Sequence, residues 1–263
     1  MRRTGFIRCA NEENTVIASL LSVENIFTHF VIIYSDITDS SLKLIEEYSR
    51  GRRDIIIEKY PYSVFPPHSH IYKQGIYDYK HSLAAYYNWG MKLCEKIGGS
   101  ICKIDCDQVY IEDVVAEQFK QHEKRFLNDE SNFYRVGLWG INSFVYKKRL
   151  LIPSKIPLNG LHDHYITSCN MKIFYIQSGL NEVSVMPEKT ITLPSANQPA
   201  WFHFRKNMRG INESVSDAYS IDEFIADNGS TMILDEELAS LFENKIRPIL
   251  VKGNSPHQNC KLS

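Results

Sequence analysis

Short apolar runs alternate with amphipathic stretches through the first half of the chain. "TGFIRCA", "HFVIIYS", "RDIIIEKY" and "SICKIDCD" are compact apolar segments bounded by polar residues, the pattern of buried strands. Between them, "ENTVIASLLSVENI", "DSSLKLIEEYSR" and "YDYKHSLAAYYNWGMKLCEKI" repeat their apolar positions at helical spacing. Asp39 or Ser40 is the expected cap of the second helix, and Gly98 and Gly99 end the third. Strand and helix alternating in this way predict an α/β fold with a mostly parallel central sheet flanked by helices.

Past residue 113 a charged helix, "VVAEQFKQHEKRFLND", and an aromatic, glycine-bearing stretch, "NFYRVGLWGINSFVYKKRLL", follow. The rhythm then fades. "IPSKIPLNGLHDHYIT" and "MPEKTITLPSANQPAWFHF" read as loop-rich because proline breaks ladders and helices alike. "SIDEFIADNG" and "DEELASLFENKIRPILV" read as helices before a polar tail.

Composition narrows the picture. At 263 residues and 43% hydrophobic content the chain can bury a full core, and a formal charge of -1 gives no support to a nucleic-acid partner. No apolar run approaches the roughly 20 residues a spanning helix needs, and "MRRTGFIRC" meets "ANEEN" without a signal-peptide core, so a cytoplasmic location is expected. Six scattered cysteines with no CxxC pair suggest reduced, mostly buried thiols.

Candidate chemistry gathers where strands end. In an open parallel sheet, ligands bind beyond the carboxyl ends of the strands, and there the chain carries "RCANEE", "SDITDSS" and "DCD". Asp36 is placed for a ligand hydroxyl such as a ribose, whereas Asp39 equally fits a helix cap. Asp105 and Asp107 stand one residue apart, and in extended backbone they would point to one side and repel unless a cation intervened. Mg²⁺ or Mn²⁺ holding a diphosphate is the natural compensation, because both ions prefer oxygen ligands. "WFHFRKNMR" sets His203 among aromatics and ahead of Arg205, Lys206 and Arg209; it reads either as a half-buried histidine beside a solvated basic face or as a metal ligand beside phosphate-binding cations. In "LHDHY", His162, Asp163 and His164 match no closed zinc pattern with Cys169, and Asp163 reads as a general base or a loop cap.

In their order along the chain, "FIRCANEENTVIASLLSV", "IIYSDITDSSLKLIEEY", "EKYPYSVFP", "LAAYYNWG", "ICKIDCDQVYIED" and "WFHFRKNMR" resemble GT-A glycosyltransferases. More narrowly, the chain resembles the lipooligosaccharide β-1,4-N-acetylgalactosaminyltransferases of glycosyltransferase family 82. The resemblance implies a GT-A, Rossmann-like nucleotide-sugar fold with a C-terminal helical extension. By the same likeness, Arg8, Asn11 and Glu12 line the nucleotide pocket, Asp36 and Asp39 lie near uridine, and Asn88 faces the same pocket. Asp105 and Asp107 match the metal-binding DxD, His203 the histidine that closes the site, and Arg205 a diphosphate neighbour. Residues 1–210 would form the catalytic domain, with a nucleotide-binding half (1–113) and an acceptor half (114–210), followed by helices over 211–252 and a mobile tail over 253–263.

The implied reaction is inverting transfer from a UDP-sugar, carrying GalNAc or another hexose or HexNAc, with Mn²⁺ or Mg²⁺ on the diphosphate. The acceptor is a bacterial surface glycan, either lipooligosaccharide, lipopolysaccharide or capsule. Asp163 is the expected base, with Glu182 and Glu188 as alternatives. Trp139 and Tyr146 suit either sugar stacking or the core. A basic, apolar helix around Lys245 and Arg247 suits either packing on the body or peripheral contact at the cytoplasmic face of the inner membrane. Two other functions fit the pattern: a sugar nucleotidyltransferase, against which "RCANEE" lacks a Gly-rich phosphate loop, and a domain that binds nucleotide sugar without turnover.

Overall fold

The computed structural model describes residues 2–65, 69–75, 77–128, 132–146, 149–151, 158–168, 173–178, 181–204 and 244. At 127–128, 144–146, 149–151, 159–163 and 181 only the backbone is described. The expected C-terminal helices and tail lie outside these residues, as do Arg205, Lys206 and Arg209.

Four strands and the helices between them follow the predicted rhythm: β1 (Arg3–Cys9), α1 (Val16–Val23), β2 (His29–Tyr34), α2 (Ser41–Ser49), β3 (Ile55–Lys59), the short α3 (His70–Lys73), α4 (Leu83–Ile97) and β4 (Ser100–Asp105). β3, β2, β1 and β4 lie side by side, all parallel. Long apolar runs suit strands covered on both faces. Ile7, Ile32 and Cys102 face a core formed with α1 and with α5 (Glu112–Asn128). Phe6, Val31 and Ile33 face Tyr86, Tyr87 and Met91 of α4 on the other side. α4 begins later than its pattern predicts: Tyr79–His81 form a single 3-10 turn, and the Ser82 hydroxyl then caps the helix by accepting from Ala85 N–H at 3.1 Å. Gly98, at φ 76°, ends it as expected.

The second half is more regular than its prolines suggest. After β5 (Gln108–Tyr110) and α5 come β6 (Phe133–Tyr146), β7 (Arg149–Leu151), β8 (Leu158–Ser168), β9 (Phe174–Ser178), β10 (Asn181–Val185), β11 (Thr190–Leu193) and β12 (Trp201–Phe204). The two segments expected to be loop-rich therefore contain three strands, β8, β11 and β12, wholly or in part. Pro187, Pro194 and Pro199 fall in the connections, where their missing N–H breaks no ladder. The sheet runs β3-β2-β1-β4-β8-β6-β12-β5, with β8 antiparallel to both β4 and β6. This mixed sheet, parallel from β3 to β4 and antiparallel where β8 joins it, is of the predicted α/β class. The β9–β10 hairpin stands apart and packs on α4.

Cys9, Cys94, Cys102 and Cys106 are buried and outside disulfides, as the composition predicts, and burial pushes the Cys102 thiol up to about 12. Among the described residues, no helix is long and apolar enough to cross a membrane.

Candidate active site

Register builds the site from β1 and β4. The ladder pairs Arg8 with Asp105, which puts the two side chains on the α4 face of adjacent strands. Lys103, two residues earlier on β4, shares that face. Asp105 thus stands within 3.7 Å of Arg8 Nη2, 3.9 Å of Lys103 Nζ and 3.5 Å of His164 Nε2 on β8. The Arg8 guanidinium also lies over the Tyr87 ring at 4.7 Å, and Lys103 approaches the same ring at 5.2 Å. Burial alone would raise the Asp105 carboxyl, but Lys103, His164 and Arg8 reverse this and hold it well below the usual carboxylate range.

Asp107 is placed differently. β4 ends at Asp105, so Asp107 sits in the turn before β5 rather than on the same strand face. The turn gives it its own partner: Oδ2 is 3.1 Å from His203 Nε2, and its carbonyl accepts from Phe204 N–H at 2.7 Å. His203 Nδ1 in turn lies 2.8 Å from Asn142 Oδ1. The two carboxylates therefore share one end of the sheet while facing different imidazoles. Of "LHDHY", His164 is the member brought to the pair. Its Nε2 is also 3.0 Å from Gln108 Nε2, whose Oε1 accepts from the buried Tyr110 hydroxyl at 2.5 Å.

The loops after β1 and β2 are joined chiefly by side chain to backbone bonds. Asn11 Oδ1 accepts from Thr38 and Asp39 N–H at 2.8 and 3.4 Å, and Glu12 N–H donates to Ser41 Oγ at 2.6 Å. Asp39 accepts from Ser41 N–H at 2.9 Å and from Glu13 N–H at 3.1 Å. Ser40 thus takes the cap position without a side-chain cap bond, and Asp39, just before it, accepts from the first N–H of the helix while also tying the loops together. Asp36 is exposed at the end of β2.

Asn88 is held by backbone and side-chain partners. Its Nδ2 donates to Tyr175 O at 2.8 Å and to Tyr79 Oη at 2.9 Å, and its Oδ1 accepts from Tyr175 N–H at 2.7 Å, so the amide clamps β9 onto α4. A helical asparagine read from sequence carries no sign of a backbone partner 87 residues away.

Asp163 lies on β8, next to His164, and its side chain is outside the described residues, as is that of Tyr146. Glu182 on β10 contributes to the field around Arg8: burial works to lower that guanidinium, and Tyr87, Asp105 and Glu182 more than offset it. Trp139 is half-buried, donates its indole N–H to Ala196 O at 2.9 Å and lines a cleft of about 210 Å³ with Arg135, His164, Thr192 and Ser195. Sequence reasoning missed Lys103, Gln108 and Asn142. Only Lys103 left a signal, a charge two positions before Asp105 inside an apolar strand.

A divalent cation fits these residues. Asp105 Oδ1 is buried and accepts no hydrogen bond, its ion-pair neighbour Arg8 Nη2 standing at 3.7 Å, which leaves an acceptor for a bound ligand or cation. Asp107 Oδ2 and His203 Nε2 add one oxygen and one nitrogen. Among the described residues no group of three or more His, Cys, Asp or Glu side chains could hold a metal by itself. An ion here would need oxygens from a bound diphosphate, the habit of Mg²⁺ and Mn²⁺.

Gly140 keeps the site's back wall in place. A Cβ at this position would overlap the Trp201 indole, which is fully buried, packs against His164 at 4.7 Å and heads the strand bearing His203. Gly140→Ala is expected to destabilise the fold by about 1–3 kcal/mol through overpacking, read as a lowered thermal midpoint.

Among curated proteins nothing matches the chain. Solved structures with a similar arrangement include the mannosyltransferase PcManGT from Pyrobaculum calidifontis with GDP-Man and Mn²⁺, at 10% identity and TM-score 0.39, covering 64% of this chain. Glucosyl-3-phosphoglycerate synthase from Mycobacterium tuberculosis with Mg²⁺ and UDP is another, at 12% identity and TM-score 0.43, covering 89% of this chain and 81% of that one. The chain spans 44% of the mannosyltransferase's length. A family model described as Beta-1,4-N-acetylgalactosaminyltransferase (CgtA) matches residues 1–150, more than half of the 263. The chain belongs to the CgtA family.

Proposed function

We propose that this protein is an inverting, metal-dependent glycosyltransferase that moves GalNAc or another hexose or HexNAc from a UDP-sugar to a bacterial surface glycan. One observation carries the reading: Asp105 and Asp107 both stand at the carboxyl end of the parallel sheet, with a buried oxygen that accepts no hydrogen bond on one and His203 against the other. Family membership supports the chemistry.

In this reading Asp107, His203 and Asp105 hold Mn²⁺ or Mg²⁺, which when bound neutralises charge on the departing diphosphate. Asp105, already compensated by Lys103 and Arg8, contributes the less exchangeable carboxylate, and Asp107 is the more direct ligand. Arg8, flat on Tyr87 and beside Asp105, offers guanidinium N–H groups to the donor's phosphates, as does Arg205. Locked loops after β1 and β2 present Asn11, Glu12, Asp36 and Asp39 on the nucleotide side, so that little ordering remains to be done on binding. Asp163 takes the proton from the attacking acceptor hydroxyl. Support for this comes from the place of its backbone on β8, the strand that pairs with β4. Glu182, in the field of Arg8, is the alternative base.

Incubation with a panel of UDP-sugars, with and without an acceptor glycan, Mn²⁺ and a chelator, tests the reading. UDP release that needs the metal and is accelerated by acceptor supports it, and chelator-insensitive turnover contradicts the metal role. Asp163→Asn is expected to lower turnover about 10²–10⁴-fold with donor binding retained. Normal turnover in that variant would move the base to Glu182.

A further inference from the structure

We infer that Asn142 is a positioning residue for the metal site, holding His203 with its Nε2 turned toward the Asp107 carboxylate; this rests on the metal-dependent reading above. The β6–β12 ladder pairs Asn142 directly with His203. Asn142 is 1% exposed, and its amide has one orientation compatible with its neighbours: Nδ2 donates to Leu158 O at 3.2 Å, so Oδ1 is the atom 2.8 Å from His203 Nδ1. An amide oxygen only accepts, which requires the proton on Nδ1. The imidazole is then bound through one nitrogen and directed by the other, and Nε2 faces Asp107 Oδ2 at 3.1 Å.

The consequence for a cation is geometric. The 3.1 Å contact from Nε2 to Asp107 Oδ2 is a hydrogen bond in which the carboxylate accepts, and a cation between the two atoms would stand where that proton stands, bound by the Nε2 lone pair. Hydrogen bonding of the non-ligating nitrogen is the usual device for orienting a metal-bound histidine and raising its basicity. The ring's other restraints are Asp107 Oδ2 at Nε2 and the strand itself, through Ser143 Oγ donating to His203 O at 3.4 Å. With Asn142 gone, Nδ1 loses its acceptor and the ring is directed from the Nε2 side alone.

Three variants and one probe test this: Mn²⁺ in the presence of UDP, followed by paramagnetic resonance for affinity and for coupling to a directly bound imidazole nitrogen. Asn142→Leu is expected to weaken Mn²⁺ binding about 10–100-fold and to diminish the nitrogen coupling. Asn142→Asp, which keeps an oxygen acceptor toward Nδ1 but gives up the donation to Leu158 O, is expected to retain the nitrogen coupling and part of the affinity. Asn142→Ala gives the same reading as leucine without risk of overlap should the leucine variant fail to fold. Unchanged Mn²⁺ affinity in the leucine or alanine variant, or an aspartate variant as weak as they are, overturns the inference. His203→Ala separates the two levels. If it leaves Mn²⁺ affinity unchanged, the metal reading itself fails; if it weakens binding while Asn142→Leu does not, only the role of Asn142 fails.

Discussion

Replacing Asp107 with alanine is expected to lower turnover on the order of 10²–10³-fold, the usual loss when one preorganised group that stabilises developing charge is removed, while the thermal midpoint stays close to that of the parent. The asymmetry follows from its position. Asp107 sits in a turn, its structural hydrogen bond to Phe204 N–H uses the backbone carbonyl, and its side-chain partner His203 keeps access to water at 14% exposure. Truncation therefore removes the proposed metal ligand without stranding a buried charge. UDP-release rates and melting curves on the same preparation check both halves. A fall in stability matching the fall in rate would mean that the carboxylate is structural.

Asp105→Ala should behave in the opposite way. Here the carboxylate compensates Lys103, which is 3% exposed, along with Arg8 and His164. Removing one member of a buried ion cluster leaves the others uncompensated, at a cost of about 3–5 kcal/mol. The expected result is a large drop in denaturation midpoint before any question of activity arises. Adding Lys103→Met should recover part of the loss, because the stranded ammonium is then absent. An Asp105→Ala protein as stable as the parent would show that water compensates the cluster.

These two aspartates also show how far the sequence could be read. Their spacing marked them as a pair, and the apolar runs of β1 to β4 placed them correctly at the end of a parallel sheet, because contiguous buried strands announce themselves locally. The argument from alternation failed one residue later: the chain turns at 106, so Asp105 and Asp107 do not share a strand face. What the turn separates, β8 and β12 then complete from 56 or more residues away, bringing Gln108 to His164 and Asp107 to His203. No local pattern encodes such pairings. β8, β11 and β12 were obscured by prolines that prove to lie between them, and the amides of Asn88 and Asn142 look alike in sequence although one clamps a hairpin and the other backs an imidazole. Titratable residues at strand ends are legible from spacing; neutral partners that orient them are set by register across the sheet.

Calorimetric titration of the protein with UDP, in Mn²⁺ and in excess chelator, addresses the central claim most directly, since it isolates the joint grip of carboxylates and cation on a diphosphate from acceptor and chemistry. The account predicts that Mn²⁺ markedly tightens UDP binding to the parent protein and that Asp107→Ala loses most of this gain. UDP affinity indifferent to Mn²⁺, or an Asp107→Ala variant that responds to the metal as the parent does, would contradict it.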